Sequence, residues 1–105
     1  MPVEYKEIDG VHPCSKEFKV DLGSKMPTTF LIFMMMNRNG SWFVAERLEH
    51  LELRKCIAIR TSEDVEMSVA HSIINRFTEH DAQVRAELLH KKLKEYCGGE
   101  YVSSI

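Results

Sequence analysis

The longest apolar run of the chain extends over residues 30–36. A strand that is apolar on both faces lies at the centre of a sheet or is covered on both sides. Asn39 and Gly40 follow this run, and the pair favours a type I′ turn because both residues tolerate positive φ. Residues 41–45 are largely apolar again. The pattern therefore predicts a central β-hairpin over residues 29–45.

Strict alternation marks a second strand before the hairpin. Phe18, Val20 and Leu22 share one side of residues 17–22, and charged residues occupy the other side. A period of two with one polar face is typical of a half-buried strand. Weaker alternation over residues 3–8 predicts an edge strand that ends at a turn.

Residues 46–60 allow two interpretations. Leu51, Leu53, Ile57 and Ile59 keep a period of two, so we expect the returning strand to continue to about Leu48. A tight turn near residues 49–50 and a further strand over residues 51–60 would follow. A short helix over residues 46–53 is the alternative, because this stretch is rich in helix-forming residues.

The last third of the chain changes to a helical period. Hydroxyl and acidic residues at positions 61–64 predict a helix N-terminus. An apolar stripe follows, formed by Val65, Val69, Ile73 and Phe77 with Ala70 and Ile74 beside it.

A second N-terminal signal at residues 78–81 interrupts this stripe and predicts a second helix. Its stripe is formed by Val84, Leu88, Leu89, Leu93 and Tyr96, and Gly98–Gly99 would cap its end. One long bent helix is the alternative, since neither glycine nor proline enforces the break. The tail after residue 100 is expected either to fray or to dock as an extra edge segment.

Strands that precede helices, instead of alternating with them, indicate an α+β fold. We predict an antiparallel sheet of about four strands, a meander with the central hairpin 29–45. Two C-terminal helices would pack on one face of that sheet. The length of 105 residues suits a single domain spanning residues 1–105.

Composition narrows the class of protein. Hydrophobic residues make up 44% and charged residues 29%, which is typical of a folded globular chain. Three widely spaced cysteines do not form a disulfide framework, so reduced thiols and a cytoplasmic location are expected. Neither a signal-peptide core nor an apolar run of spanning length is visible, so we expect no membrane role.

The sequence contains few motifs that indicate a metal site or a catalytic site. His12 and Cys14 form one closely spaced ligand pair, whereas a structural zinc site normally needs two. Glu87 and His90 match one half of a di-iron helix motif, but the other helix lacks the second half. We therefore predict no metal, no cofactor and no enzymatic activity. Convergence of two or more of the five histidines in one pocket would favour an enzyme instead.

Two helices can cover only one face of the predicted central strand, so its other apolar face needs another cover. This favours a regulator, inhibitor or adaptor that binds another protein or forms a homodimer. The acidic side chains among the candidates would engage a basic partner. The predicted partner-binding residues are Phe33, Met35, Trp42, Glu46, Glu49 and Glu52.

Nucleic-acid binding is the alternative function. Basic residues concentrate on the predicted last helix, at Arg85, Lys91, Lys92 and Lys94. The net charge of −2 counts against this alternative, because phosphate-binding proteins usually carry a basic excess.

Overall fold

The computed structural model describes residues 14–26, 28–52 and 54–95, and the backbone of residues 100–103. The elements in chain order are β1 (Ser15–Val20), β2 (Thr28–Met36), β3 (Trp42–His50), β4 (Lys55–Arg60), α1 (Met67–Arg76), α2 (Glu79–Glu95) and β5 (Glu100–Ser103). Strands β1 to β4 form an antiparallel meander, and β5 joins β4 in parallel at the far edge. The predicted α+β fold is confirmed, with β5 as the docked tail.

The central hairpin forms where predicted, but its turn is not the predicted type I′ turn, because positive φ occurs at Gly40 and not at Asn39. Strands β2 and β3 pair from Thr28 opposite His50 to Met36 opposite Trp42. Gly40 adopts φ +89°, and its N–H donates to the carbonyl oxygen of Asn37 at 3.0 Å. A glycine tolerates this φ because it has no Cβ.

Strand β3 runs further than predicted, and the alternative of a short helix over residues 46–53 is wrong. The turn after β3 contains neither glycine nor proline in its described part. Arg54 instead adopts φ 55°, and its N–H donates to the carbonyl oxygen of Leu51 at 3.0 Å. This left-handed residue lets β4 turn back, so that Lys55 lies opposite His50.

The predicted start of the first helix is wrong. Helix α1 begins at Met67, and Glu66 precedes it without a side-chain capping bond. Residues 61 and 62 extend the sheet instead: the N–H of Thr61 donates to the carbonyl oxygen of Val44, and the N–H of Val44 donates to Ser62 Oγ. The hydroxyl groups expected to cap the helix therefore form hydrogen bonds with Val44 of β3 instead.

The second helix begins as predicted. The N–H of Asp81 donates to Thr78 Oγ1 at 3.1 Å, and the N–H of Thr78 donates to Asp81 Oδ2 at 2.9 Å. The bond from the backbone N–H of Thr78, and then a hydrogen bond of the Thr78 side chain, lower the pKa of the Asp81 carboxyl. This reciprocal cap confirms two helices over one bent helix. The predicted cap at Gly98–Gly99 and the predicted strand over residues 3–8 lie outside the described residues.

Both helices lie on one face of the sheet. Helix α1 contacts β2 and β3, whereas α2 contacts β1, β3 and β4. The core beneath them includes Phe30, Ile32 and Met34 of β2. Leu31, Phe33 and Met35 belong to the opposite face, where Phe33 forms a second small core with Ala45. In the described ranges, no helix is long and apolar enough to cross a membrane.

Candidate functional site

The two helices bury other residues than the predicted stripes suggest. Helix α2 faces the sheet with Ala82, Ala86, Leu89 and Leu93. Only Leu89 and Leu93 were predicted to be buried. Val84 and Leu88, which were also assigned to the core, are 44% and 48% exposed. Alanines on the inner face let the helix approach the strands closely, which turns the larger side chains outward.

Helix α1 shows the same inversion. Ala70 and Ile74 are buried, whereas Val69 and Ile73 are exposed. Phe77, just after the helix, is half-buried and stacks on Phe30 with 5.7 Å between ring centroids. The predicted stripe at fourfold spacing is therefore wrong for its central members.

The outer surface of α2 carries a stripe of Val84, Leu88, Lys91 and Lys94, called the α2 stripe below. These residues line a surface cavity of about 440 Å³ together with Glu87 and His90. Positions 84, 88 and 91 follow one another by about one helical turn, so they share one side of the helix. The stripe is apolar at its first end and cationic at its second.

A cleft of about 370 Å³ lies between the helices and the sheet. Its lining includes Ile32, Glu46 and Ile59 from three strands, and Ile73, Phe77 and Arg85 from the helical layer. The cleft combines an apolar wall with one ion pair.

The ion pair joins Glu46 of β3 to Arg85 of α2. Arg85 Nε donates to both carboxylate oxygens, at 2.9 and 3.1 Å. The carboxylate side chain is 4% exposed and the arginine side chain 34%. Burial raises the pKa of Glu46, and the charge and hydrogen bond of Arg85 partly oppose that rise. A buried carboxylate with one cationic partner thus forms the polar part of the cleft.

Two histidines meet at the other end of β3. His50 is buried, and its ring stacks on His90 of α2 with 4.9 Å between centroids and 11° between planes. Burial lowers the pKa of His90, and the nearby charges of His50 and Lys94 add to this effect. His90 also lines the cavity of about 440 Å³ beside the α2 stripe, and His50 lines a second cavity of about 330 Å³.

Metal ligands do not gather in the described part of the chain: no group of three or more histidine, cysteine, aspartate or glutamate side chains could hold an ion there. His12 lies outside the described residues. Cys14 is half-buried, and Cys56 is buried in β4. Glu87 and His90 both line the cavity beside the α2 stripe.

The structure separates the predicted partner-binding residues. The expectation that Phe33 and Glu46 lie at the surface is wrong: Phe33 is 0% exposed within the second core, and Glu46 is drawn to Arg85. Trp42 packs against the core below the helices. Glu52 is exposed in the turn after β3, where it accepts a hydrogen bond from the N–H of Lys25 at 2.8 Å.

The remaining two candidates, Met35 and Glu49, are half-buried on the face opposite the helices. Glu49 lies 3.9 Å from Arg47. The acidic residues at 46, 49 and 52 therefore point to three different surroundings and form no continuous acidic surface.

The predicted nucleic-acid residues also divide into two groups. Lys91, Lys92 and Lys94 are exposed near the end of α2. Arg85 is engaged with the buried carboxylate of Glu46. The basic surface on this helix is therefore smaller than the sequence suggests.

Sequence reasoning missed the exposed side of α2 and both contacts of β3 with this helix. One signal was present: Ala82, Ala86, Leu89 and Leu93 recur at intervals of four, three and four residues. This series has the spacing of a buried face. Its small residues made it less conspicuous than the series with Val84 and Leu88.

Comparison of the chain with protein-family models, with curated proteins and with solved structures found no match.

Proposed function

We propose that this protein acts by binding another protein, as a regulator, inhibitor or adaptor without enzymatic activity, and that the α2 stripe is its docking surface. One observation carries the proposal. Val84 and Leu88 are exposed one turn apart on α2, as Val69 and Ile73 are on α1, and the α2 pair lines the larger of the two surface cavities, about 440 Å³ against about 360 Å³. Apolar side chains clustered on a surface mark interaction sites more often than single ones do.

The chemistry of the stripe suggests the kind of partner. Val84 and Leu88 offer an apolar contact, and full burial of such a side chain is worth about 1.5–3 kcal/mol relative to exposure. Lys91 and Lys94 continue the same side of the helix and favour carboxylates. A matching partner is an amphipathic segment with apolar side chains flanked by aspartate or glutamate.

This proposal moves the docking surface from the sheet to the helical layer. The sheet face with Phe33 and Met35 offers less exposed apolar surface than expected, because Phe33 is fully buried. Arg60 also lies 4.5 Å from the centroid of the Phe43 ring on that face. The outer side of α2 is the more accessible apolar surface.

The chain offers a matched control for testing the stripe. Val69 of α1 and Val84 of α2 are both helical valines, and both are 44% exposed. We expect Val84→Glu and Leu88→Glu to reduce partner capture at least tenfold in quantitative co-precipitation from native extract, whereas Val69→Glu retains it. Equal loss in Val69→Glu and Val84→Glu would contradict docking at the α2 stripe.

Charge reversal provides a second test of the partner. Lys91→Glu with Lys94→Glu should weaken capture of an acidic partner, whereas Lys92→Glu, outside the stripe, should have a smaller effect. Light scattering on the same variants identifies self-association: a dimer that Leu88→Glu dissociates would make a second copy the partner. Retention of nucleic acid that depends equally on all three lysines would support the alternative function instead.

A further inference from the structure

The cleft between the helices holds a charged pair that the protein-binding proposal does not use. Its floor comes from Ile32, Glu46 and Ile59, and its walls include Ile73, Phe77 and Arg85. The volume of about 370 Å³ falls within the range of small-molecule sites. A concave apolar lining with a few convergent polar groups is the usual form of such sites.

We infer that this cleft binds a small molecule with a carboxylate on a compact apolar body. The carboxylate would accept hydrogen bonds from the terminal nitrogens of Arg85, and the apolar body would contact Ile59, Ile73 and Phe77. This inference concerns a different surface from the α2 stripe and does not depend on protein binding.

Arg85 supplies the anion-binding group. A guanidinium presents five N–H donors in a planar fork that matches a carboxylate. In the described chain, the hydrogen bonds of Arg85 use Nε alone, which donates to both oxygens of Glu46. The terminal nitrogens are therefore left for a second acceptor, and the one-third exposure of the side chain gives a ligand access to them.

Glu46 fixes the position of this fork. Its side chain is 4% exposed on the central strand β3, between the buried apolar residues Val44 and Leu48 on the same face. A buried ion pair contributes little net stability compared with apolar residues of similar volume, because both charges lose water. The pair therefore suits a role in holding the arginine against the cleft, with Glu46 as a positioning residue.

The apolar lining selects the body of the ligand. Ile32 and Ile59 are buried at the floor, Ile73 is exposed at the rim, and Phe77 is half-buried. No other charged side chain lines the cleft in the described part of the chain. One anionic group is thus matched by the one guanidinium, and apart from Thr61 the remaining lining of the cleft is apolar.

The test compares three probes of equal shape: 3-phenylpropionate, 3-phenylpropan-1-ol and 3-phenylpropylamine. We expect saturable binding of the carboxylate alone, with a dissociation constant on the order of 1 mM for a ligand of this size. Methyl NMR of the isoleucine side chains then shows where the carboxylate probe binds. The signals of Ile59 and Ile73 should shift, whereas those of Ile57 and Ile74, which are buried and do not line the cleft, should not.

Two variants separate recognition by the fork from simple charge attraction. Arg85→Lys keeps a cation beside Glu46 but loses the planar fork, so carboxylate affinity should fall at least tenfold. Glu46→Gln keeps an amide oxygen that can accept from Arg85 Nε and position the guanidinium, and it removes the competing negative charge, so carboxylate affinity should stay equal or rise. Arg76→Met, which removes an exposed arginine at the end of α1, should leave it unchanged. The absence of saturable carboxylate binding, equal binding of the alcohol, or unchanged affinity in Arg85→Lys would overturn the inference.

Discussion

Strand β3 meets α2 at two points that differ in the charges they bring together. Glu46 and His50 lie on the same side of the strand, and both are buried. Glu46 contacts Arg85, a partner of opposite charge, whereas His50 stacks on His90, a partner of the same kind. The first contact is strongest when both groups are ionised, and the second when both are neutral. One helix is thus attached to one strand by two contacts with different responses to pH.

The largest expected effect comes from removing the arginine of the first contact. Arg85→Met leaves the Glu46 carboxylate buried without a cation, and we expect a loss of roughly 3 kcal/mol in the free energy of unfolding. Glu46→Gln should cost less, because the arginine side chain is one-third exposed and can be hydrated. Urea denaturation at pH 7 measures both values.

The double variant Glu46→Leu with Arg85→Met is the control for the unequal cost of the two single changes. It removes both charges, so its unfolding free energy should exceed that of Arg85→Met alone. Equal losses of unfolding free energy in Glu46→Gln and Arg85→Met would contradict this explanation. They would show that burial of the carboxylate does not make removal of the arginine the more costly change.

The second contact should make stability depend on pH. Burial, and then the charges of His50 and Lys94, lower the pKa of His90 in the folded chain. Below the ordinary value of 6.5, the unfolded chain therefore binds this proton more readily than the folded chain does. The contribution is complete above that pH and is lost as the pH falls through 6.5 towards the lower folded pKa.

His90→Phe tests this dependence, since it keeps an aromatic ring against His50 but cannot be protonated. Its unfolding free energy should fall less steeply than that of the natural chain between pH 7 and pH 5. His80→Gln is the matched control, because it removes an exposed histidine at the start of α2, away from the stacked rings. If the unfolding free energies of His90→Phe and the natural chain fall equally steeply with pH, protonation of His90 is not the source of the pH dependence.

The sequence predicted those elements whose signals are local. Gly40 marks the position of the hairpin turn through the positive φ that glycine tolerates, although the turn is not of the type I′ that the Asn39–Gly40 pair predicts. The cap at Thr78 and Asp81 likewise depends on residues within one helical turn. Both features were therefore predictable without knowledge of their neighbours.

The contacts of β3 with α2 were not predictable in this way, because they join residues about forty positions apart. A charged residue such as Glu46 is normally expected at the surface. Its burial depends on the position of Arg85, which only the packing of the helix determines. Helix α2 also carries two apolar series, and the spacing alone does not show which series faces the sheet.

The smallest expected effect tests whether the cap or the two contacts position α2. Thr78→Ala removes the hydroxyl that accepts a hydrogen bond from the N–H of Asp81, and such a loss costs about 1 kcal/mol. Arg85 and His90 lie more than one turn beyond this cap. We therefore expect amide exchange to accelerate only in the first turn of α2, while the pKa of His90, followed by NMR titration, stays unchanged. A shift of that pKa in Thr78→Ala would show that the cap positions the helix, and that the stacked histidines follow it.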